Sequence, residues 1–119
     1  MTNDQDPMPI LDLYARTWGP LTNDERSAAF QQCLHEEFVY TDPNIRTFGY
    51  DELAQYMIGF QQQVPGGGFV NRQVASHHHT LLVHWDMTGP DGVAVSPGAS
   101  FGVVHPDGRL AAMTGFYDQ

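Results

Sequence analysis

The character of the chain changes once, at Gly66-Gly67-Gly68, and that break decides the class of fold it can form. Before it, apolar residues recur at helical spacing. Ile10, Leu13, Tyr14 and Trp18, with Leu11 beside them, define a first helix. Gly19-Pro20 ends it, because Pro20 disfavours the α region for the residue before it. Thr22-x-x-Glu25 predicts a capping box opening a second helix, with Ala28, Ala29, Phe30, Cys33 and Leu34 as its apolar positions. A short strand over 38–41 follows. Gly49 then leads into a third helix in which Leu53, Tyr56, Met57 and Phe60 recur at three–four spacing, closing at Val64-Pro65. After the glycine run, residues 69–76, 77–87, 93–104 and 110–116 read as four strands, divided by Gly89-Pro90-Asp91-Gly92 and Pro106-Asp107-Gly108 turns. Helices first and antiparallel strands last is the α+β arrangement, with helices gathered on one face of a sheet. A strongly bent sheet leaves a cavity beneath the third helix, the kind of concave apolar place that ligands favour.

One domain over 1–119 is expected, with residues 1–7 a flexible lead. A chain of 119 residues buries about two-thirds of its unfolded surface. A hydrophobic share of 41% and an aromatic share of 12% belong to a globular domain, not a disordered one. Fourteen acidic against five basic residues leave a formal charge of −9. Such a surface repels phosphate backbones and anionic lipid, which argues against nucleic-acid and membrane-surface roles. Met1-Thr2-Asn3-Asp4-Gln5-Asp6 has neither the basic nor the apolar region of a signal peptide, and no apolar run has the length of a membrane span, so the expected compartment is the cytoplasm. Cys33 is the single cysteine. It excludes an intrachain disulfide and a paired-cysteine zinc motif, and in an apolar helical pattern it reads as a small core hydrophobe.

Candidate chemistry gathers at Phe38-Val39-Tyr40-Thr41-Asp42-Pro43. A carboxylate ends an apolar strand there, is pinned by proline and is soon followed by the glycine-led helix. That arrangement can set one acid at the mouth of an apolar cavity, where desolvation moves a carboxyl toward acid/base use. The competing reading is strand-to-turn punctuation, with the side chain capping nearby backbone N–H groups. His77-His78-His79 is the second candidate. On an uninterrupted strand, His77 and His79 share a face with Leu81, Val83, Trp85 and Met87. That parity makes one of them a hydrogen-bonding or acid/base partner of Asp42; a strand end or a dimer face is the alternative. A His-x-His pair also suits metal, but no carboxylate is placed to complete the ligand set, so neither metal nor cofactor is expected. His35, read as the exposed end of the second helix, carries no functional signal, and neither do His84 and His105. Trp85, Phe60, Tyr56, Met57, Phe101 and Tyr117 form an aromatic and thioether set that serves as core or as pocket lining. Tyr14 and Tyr40 can offer hydroxyls to a ligand carbonyl. The glycine run is no phosphate loop, since it lacks a following Lys-Ser or Lys-Thr and precedes a strand.

Taken in order, Trp18, Asp24-Glu25-Arg26, Tyr40-Thr41-Asp42-Pro43, Gly49-Tyr50-Asp51-Glu52-Leu53, Ser76-His77-His78, Trp85 and Asp107-Gly108-Arg109 resemble the SnoaL-like branch of the nuclear-transport-factor-2-like superfamily. The resemblance runs from about residue 11 to residue 117. It implies a cone-shaped, curved, mostly antiparallel sheet with three helices over its concave face, enclosing a pocket, and usually a homodimer. Polyketide cyclases, ketosteroid isomerases, scytalone dehydratase and limonene epoxide hydrolase share that fold, as do many members without known activity. Against the isomerases, Asp42 matches the catalytic base, which there also precedes a proline. Val83, Trp85, Met113 and Tyr117 match apolar pocket positions, and Tyr14 and Trp18 lie near that family's oxyanion-hole tyrosine. The isomerases' second carboxyl, on the penultimate strand, is missing: Ser100 or Gly102 stands there, which removes a donor an enolate depends on.

The function expected from all this is a pocket for a small hydrophobic carbonyl or cyclic molecule, with cofactor-free isomerase, dehydratase, cyclase or hydrolase chemistry. Asp42 would move the proton, assisted by His77 or His79 and by Tyr14. Trp18, Tyr40, Tyr56, Met57, Phe60, Val83, Trp85, Phe101, Met113 and Tyr117 would line the pocket. A non-catalytic binding module and a bare dimerisation platform are the alternatives.

Overall fold

The computed structural model of the chain describes residues 6–117. Helix α1 (Met8–Arg16) starts at Pro7, and the Asp6 carboxylate accepts the Met8 N–H at 3.0 Å. Of the expected flexible lead, residues 1–5 lie outside the described residues. The α1 stripe buries Leu11, Tyr14 and Ala15, and Trp18 is buried just beyond it. Helix α2 (Asn23–Cys33) opens on the expected capping box: Thr22 Oγ1 accepts the Glu25 N–H at 3.1 Å, and the Glu25 carboxylate accepts the Thr22 N–H at 2.8 Å. Between the two helices the Arg26 side chain is buried. Its Nε donates to Thr17 O at 2.9 Å and its Nη2 to Gly19 O at 3.1 Å, giving carbonyls beyond α1 a charged donor.

Strand β1 (Leu34–Asp42) leaves α2 without a loop. It is longer than the expected 38–41, and His35 belongs to the strand, not to the helix end. Leu34 is already extended at φ −120° and ψ 136°, and burial of Leu34, Phe38, Tyr40 and Asp42 draws the segment onto the core. A four-residue strand β2 (Ile45–Phe48), too short to show a pattern in the sequence, turns back antiparallel with Asp42 opposite Ile45. Helix α3 (Gly49–Gln63) follows from Gly49, whose φ of +79° only glycine takes without strain. It buries Leu53 and Met57. Strands β3 (Gly68–His77), β4 (Thr80–Thr88), β5 (Ala94–Val104) and β6 (Leu110–Phe116) complete the chain.

The sheet is open, curved and mixed, in the order β2-β1-β6-β5-β4-β3. Every neighbouring pair is antiparallel except β1 and β6. Register shifts interrupt four of the five pairings, and such bulges are the means by which a sheet bends. The α+β class therefore stands as expected, with a core of Leu11, Phe30, Phe38, Leu53, Met57, Leu81, Val83, Leu110 and Met113 between helices and inner sheet face.

Two parity expectations fail. His77 closes β3 and pairs with Thr80, so His78 and His79 form a two-residue turn, with φ of 50° and 61°. The expected strand over 77–87 starts three residues late, and the alternation that put His77 and His79 on the inner face does not exist; all three histidines are exposed. Phe101 is likewise not a pocket residue. It sits opposite Leu82 and Thr114 on the outer face and is 45% exposed, because Ser100 and Gly102 take the inner positions of β5. A Cβ on Gly102 would lie 2.5 Å from Met113 Sδ and 2.7 Å from Leu81 Cδ1, so any larger residue there would displace these core side chains.

The capping box gives a first prediction. Thr22→Ala removes one of its two reciprocal bonds and should lower stability by about 1 kcal/mol, read as a shifted urea midpoint at unchanged slope.

Candidate functional site

Asp42 ends β1 facing inward and is 8% exposed. Its Oδ1 accepts the backbone N–H groups of Asn44 at 2.8 Å and Ile45 at 3.1 Å, which closes the β1–β2 turn. Its Oδ2 accepts the hydroxyls of Tyr40 and Tyr56, each at 2.8 Å. One oxygen thus caps the turn, as the punctuation reading expects, and the other meets two phenols inside the fold. Tyr40 reaches it because residues two apart on a strand share a face, and Tyr56 because it stands one helical turn from Leu53 and Phe60 on α3.

Trp18 packs over this group. Its ring centroid lies 5.2 Å from Tyr40, 5.9 Å from Tyr56, 5.9 Å from Phe60 and 5.6 Å from Phe69. Trp85 continues the wall, 5.1 Å from Phe69 and 6.3 Å from Tyr117, and its Nε1 donates to Ser100 Oγ at 2.9 Å. Asn44 Nδ2 donates to the Tyr117 hydroxyl at 3.0 Å, joining the turn to the last strand's end. A cavity of about 30 Å³ lies between α1 and the sheet, against Tyr14, Trp18, Asn71, Val83, Trp85, Ser100 and Met113. That is room for about one water. At Gly115, a Cβ would lie 3.7 Å from both the Ser100 Oγ and the Tyr40 hydroxyl and 3.8 Å from Asp42 Cβ, so the missing side chain leaves room for about a methyl group beside two hydroxyls and the Asp42 side chain.

Burial holds the Tyr14, Tyr40 and Tyr56 hydroxyls well above the ordinary phenol range, and the Asp42 charge adds to this in all three. They remain protonated donors at neutral pH. Burial likewise pushes the Cys33 thiol up to about 12, which rules out a thiolate nucleophile there at neutral pH.

Of the residues singled out in the sequence, the fold brings Asp42, Tyr40, Tyr56, Trp18, Phe60, Trp85 and Tyr117 together. Tyr14, Val83 and Met113 line the adjoining cavity. Met57 is fully buried in the core between α3 and the sheet. His77 and His79 stand elsewhere. Strand β4 is three places from β1 in the sheet order, about 14 Å at ordinary strand spacing, and the histidines sit at the end of the sheet away from Asp42. Asn44, Phe69 and Asn71 were not anticipated. Asp42-Pro43-Asn44 did carry the signal of an Asx turn, and Asn71 is a lone inward polar residue on β3.

With the geometry described, comparison with known proteins is informative. The family profile of the SnoaL-like domain matches residues 10–113, and the chain belongs to that family. No curated relative matches. Among solved structures, a proposed isomerase of the SnoaL-like family from Agrobacterium tumefaciens is similar over 94% of this chain and 97% of its own, at 26% identity and a TM-score of 0.84. A proposed SnoaL-like polyketide cyclase from Jannaschia covers 98% of this chain and 92% of its own, at 17% identity and a TM-score of 0.73. A de novo designed protein with a curved β-sheet is similar over 98% of this chain and 88% of its own, at 11% identity and a TM-score of 0.72. The last two likenesses concern the fold alone, and a designed chain that shares it shows how little the architecture says about chemistry.

The buried acids give a pH prediction with a definite sign. The Cys33 thiol has an ordinary value of 9.0 and is raised to about 12 in the folded chain. Below 9 both states hold the proton and its contribution is fully present; between 9 and 12 only the folded state holds it, so stability falls as pH rises through that window. The three tyrosines act in the same direction above their ordinary value of 10.0. Urea midpoints measured from about pH 8 to about pH 11 should decline steadily, and native Cys33 should resist alkylation until the chain unfolds.

Proposed function

We propose that the chain is a cofactor-free acid/base protein that takes a small hydrophobic carbonyl or cyclic molecule between α1, α3 and the inner sheet, as a cytoplasmic homodimer. The observation that carries this reading is the convergence of Tyr40 and Tyr56 on one oxygen of a buried carboxylate, beside the gap over Gly115. In the proposed step, Asp42 Oδ2 takes a proton from the carbon next to a substrate carbonyl. The C–H electron pair passes to the carbonyl oxygen, and a tyrosine hydroxyl donates to the enolate so formed. Returning the proton at a different carbon completes an isomerisation; loss of a β-hydroxyl, protonated as it leaves, completes a dehydration. Tyrosines held protonated by burial suit the donor role, and general-base help of this kind contributes about 10²–10⁴-fold. His77 and His79 have no part in this reading.

The second reading, binding without turnover, draws on two other observations. Asp42 Oδ1 is locked by two backbone N–H groups, and the cavity of about 30 Å³ admits a ligand only if its aromatic wall moves. Deuterium incorporation from D₂O into a panel of cyclic ketones, followed by NMR, separates the two. Catalysed exchange should fall by about 10²-fold or more in Asp42→Asn. It should also fall in Gly115→Ala, whose added methyl meets only ordinary contacts and so fills the gap without unfolding the chain. Ligand-induced shifts with no exchange in the unmodified protein would leave the binding module in its place.

The homodimer reading is supported by the outer sheet face, where Val70, Leu82, Phe101 and Phe116 stand exposed across four strands. Charge in the middle of such a patch opposes its burial. Sedimentation equilibrium should therefore give twice the chain mass for the unmodified protein and the chain mass for Phe101→Glu.

A further inference from the structure

A recess of about 300 Å³ opens to solvent next to the cavity of the candidate site. Its rim is formed by Gly19-Pro20 after α1, Gly66-Gly67-Gly68 before Phe69, and Gly89-Pro90 after β4. The recess and the cavity have two residues in common, Ala15 and Phe69. What parts the interior from solvent there is a methyl group and one phenyl ring. That ring is held by aromatic contact, its centroid 5.6 Å from Trp18 and 5.1 Å from both Phe60 and Trp85.

The two sides of this partition are fastened differently. On the α1 side, three successive carbonyls accept side-chain donors. Arg26 of α2 donates to Thr17 O at 2.9 Å and Gly19 O at 3.1 Å, and Gln61 Nε2 of α3 donates to Trp18 O at 2.7 Å. On the β3 side the glycines bring no side chains. Gly67 lies so close to Val64 that a Cβ there would stand 2.5 Å from Val64 Cγ1, so a fastening must reach the backbone. One bond runs from the Gly67 N–H to Val64 O at 2.8 Å. Gln61 adds two more: its Nε2 donates to Gly67 O at 2.8 Å, and its Oε1 accepts the Gly66 N–H at 3.0 Å. The reversed amide would set its oxygen against two carbonyls, so the three bonds define one orientation. Take Gln61 away and the α1 side keeps its Arg26 bonds, while the segment that leads into Phe69 loses both of these.

We propose that this recess is the entrance to the Asp42 site, with Phe69 as its gate and Gln61 as the latch. The proposal rests on the reading that a ligand is taken between α1, α3 and the inner sheet. Movement of residues 66–69 away from Trp18 joins the cavity to the recess. A ligand entering there passes between Trp18 and Trp85 and reaches Ser100, beyond which lie the room beside Gly115 and the Asp42 side chain. Gln61 is thus a positioning residue: it touches no ligand and sets how often the way in is open.

The test needs neither substrate nor turnover, so it stands or falls apart from the acid/base reading. Ser100→Cys puts a thiol on the cavity wall, and native Cys33, fully buried in the core, reports unfolding of the whole chain in the same sample. Modification by methyl methanethiosulfonate should be at least about tenfold faster at the introduced thiol than at Cys33, as local opening costs less than unfolding. Gln61→Met keeps the helix and drops all three bonds. Those bonds are absent from the open state and the unfolded state alike, so both thiols should react about tenfold or more faster. Gly68→Ala, whose Cβ meets only Thr88 Oγ1 at 3.7 Å, stiffens the same segment and should slow the introduced thiol by about two- to fivefold. Asn44→Ala, which releases the Tyr117 hydroxyl at the Asp42 end, should leave the introduced thiol's rate unchanged. Equal rates at the two thiols would remove the local opening. Gln61→Met speeding Cys33 alone would place the opening elsewhere, and a faster introduced thiol in Asn44→Ala would move the entrance to the Tyr117 side; each of these overturns the proposal.

Discussion

Taking a carboxylate out of water costs several kcal/mol unless donors replace the hydration it loses. Asp42 is all but buried, and four donors meet it from three directions: two backbone N–H groups of the β1–β2 turn, one hydroxyl from its own strand, one from α3. The turn, the strand end and the helix are therefore tied through a single side chain. Shift α3 by one residue and the Tyr56 bond is lost; open the turn and Oδ1 is left without partners. The aromatic packing of Trp18 on Tyr40, Tyr56, Phe60 and Phe69 presupposes the positions this carboxylate sets.

The same feature holds the tension between stability and chemistry. A fully satisfied carboxylate is a good structural anchor, and a base must give up at least one partner to reach a substrate. Only Oδ2 can do so cheaply, because its partners are hydroxyls that can turn toward a ligand oxygen, whereas the Oδ1 partners are fixed by the backbone. The geometry thus divides the residue into an oxygen held by backbone and one held by side-chain hydroxyls, and under the proposed function the second is the base. Ser100, which with Gly102 is one of the two positions the resemblance sets against the isomerases' second carboxyl, offers a neutral hydroxyl already engaged by Trp85. Under the proposed function the donors for a developing negative charge are then the phenols of Tyr40 and Tyr56.

The fold was legible in the sequence because its signals are periodic and punctuated. Thr22-x-x-Glu25 fixed a helix start by its own chemistry, and the glycine run marked the change from three–four to alternate spacing. What failed were the places where one residue reverses a pattern. Three adjacent histidines look like strand, since nothing in their side chains announces a turn that Asn-Gly would have declared. Phe101 looked like pocket lining, because an aromatic on a strand carries no mark of which face it takes. β2 is four residues long and paired only to one neighbour, so no periodicity could disclose it. At the site, Asp42 stood out by its place between strand and proline. The Tyr40–Asp42–Tyr56 triplet was only half visible, since Tyr56 stands fourteen positions along the chain from Asp42.

The strand order has a consequence for how the chain reaches this structure. Of the six strands, β6 is made last, and it lies inside the sheet between β1 and β5. On its other edge, β1 has only the short β2. As the chain emerges during synthesis, β3, β4 and β5 can zip together as consecutive hairpins, while β1 and its helices wait for residues 110–116 to wedge between the two halves. That parallel pairing joins segments some seventy residues apart, for instance Tyr40 with Met113, and distant pairings of this kind form late and slowly. The half of the chain that carries Asp42 is thus joined to its sheet by the final strand, and a nascent chain stalled short of β6 presents two unpaired strand edges in place of a finished core.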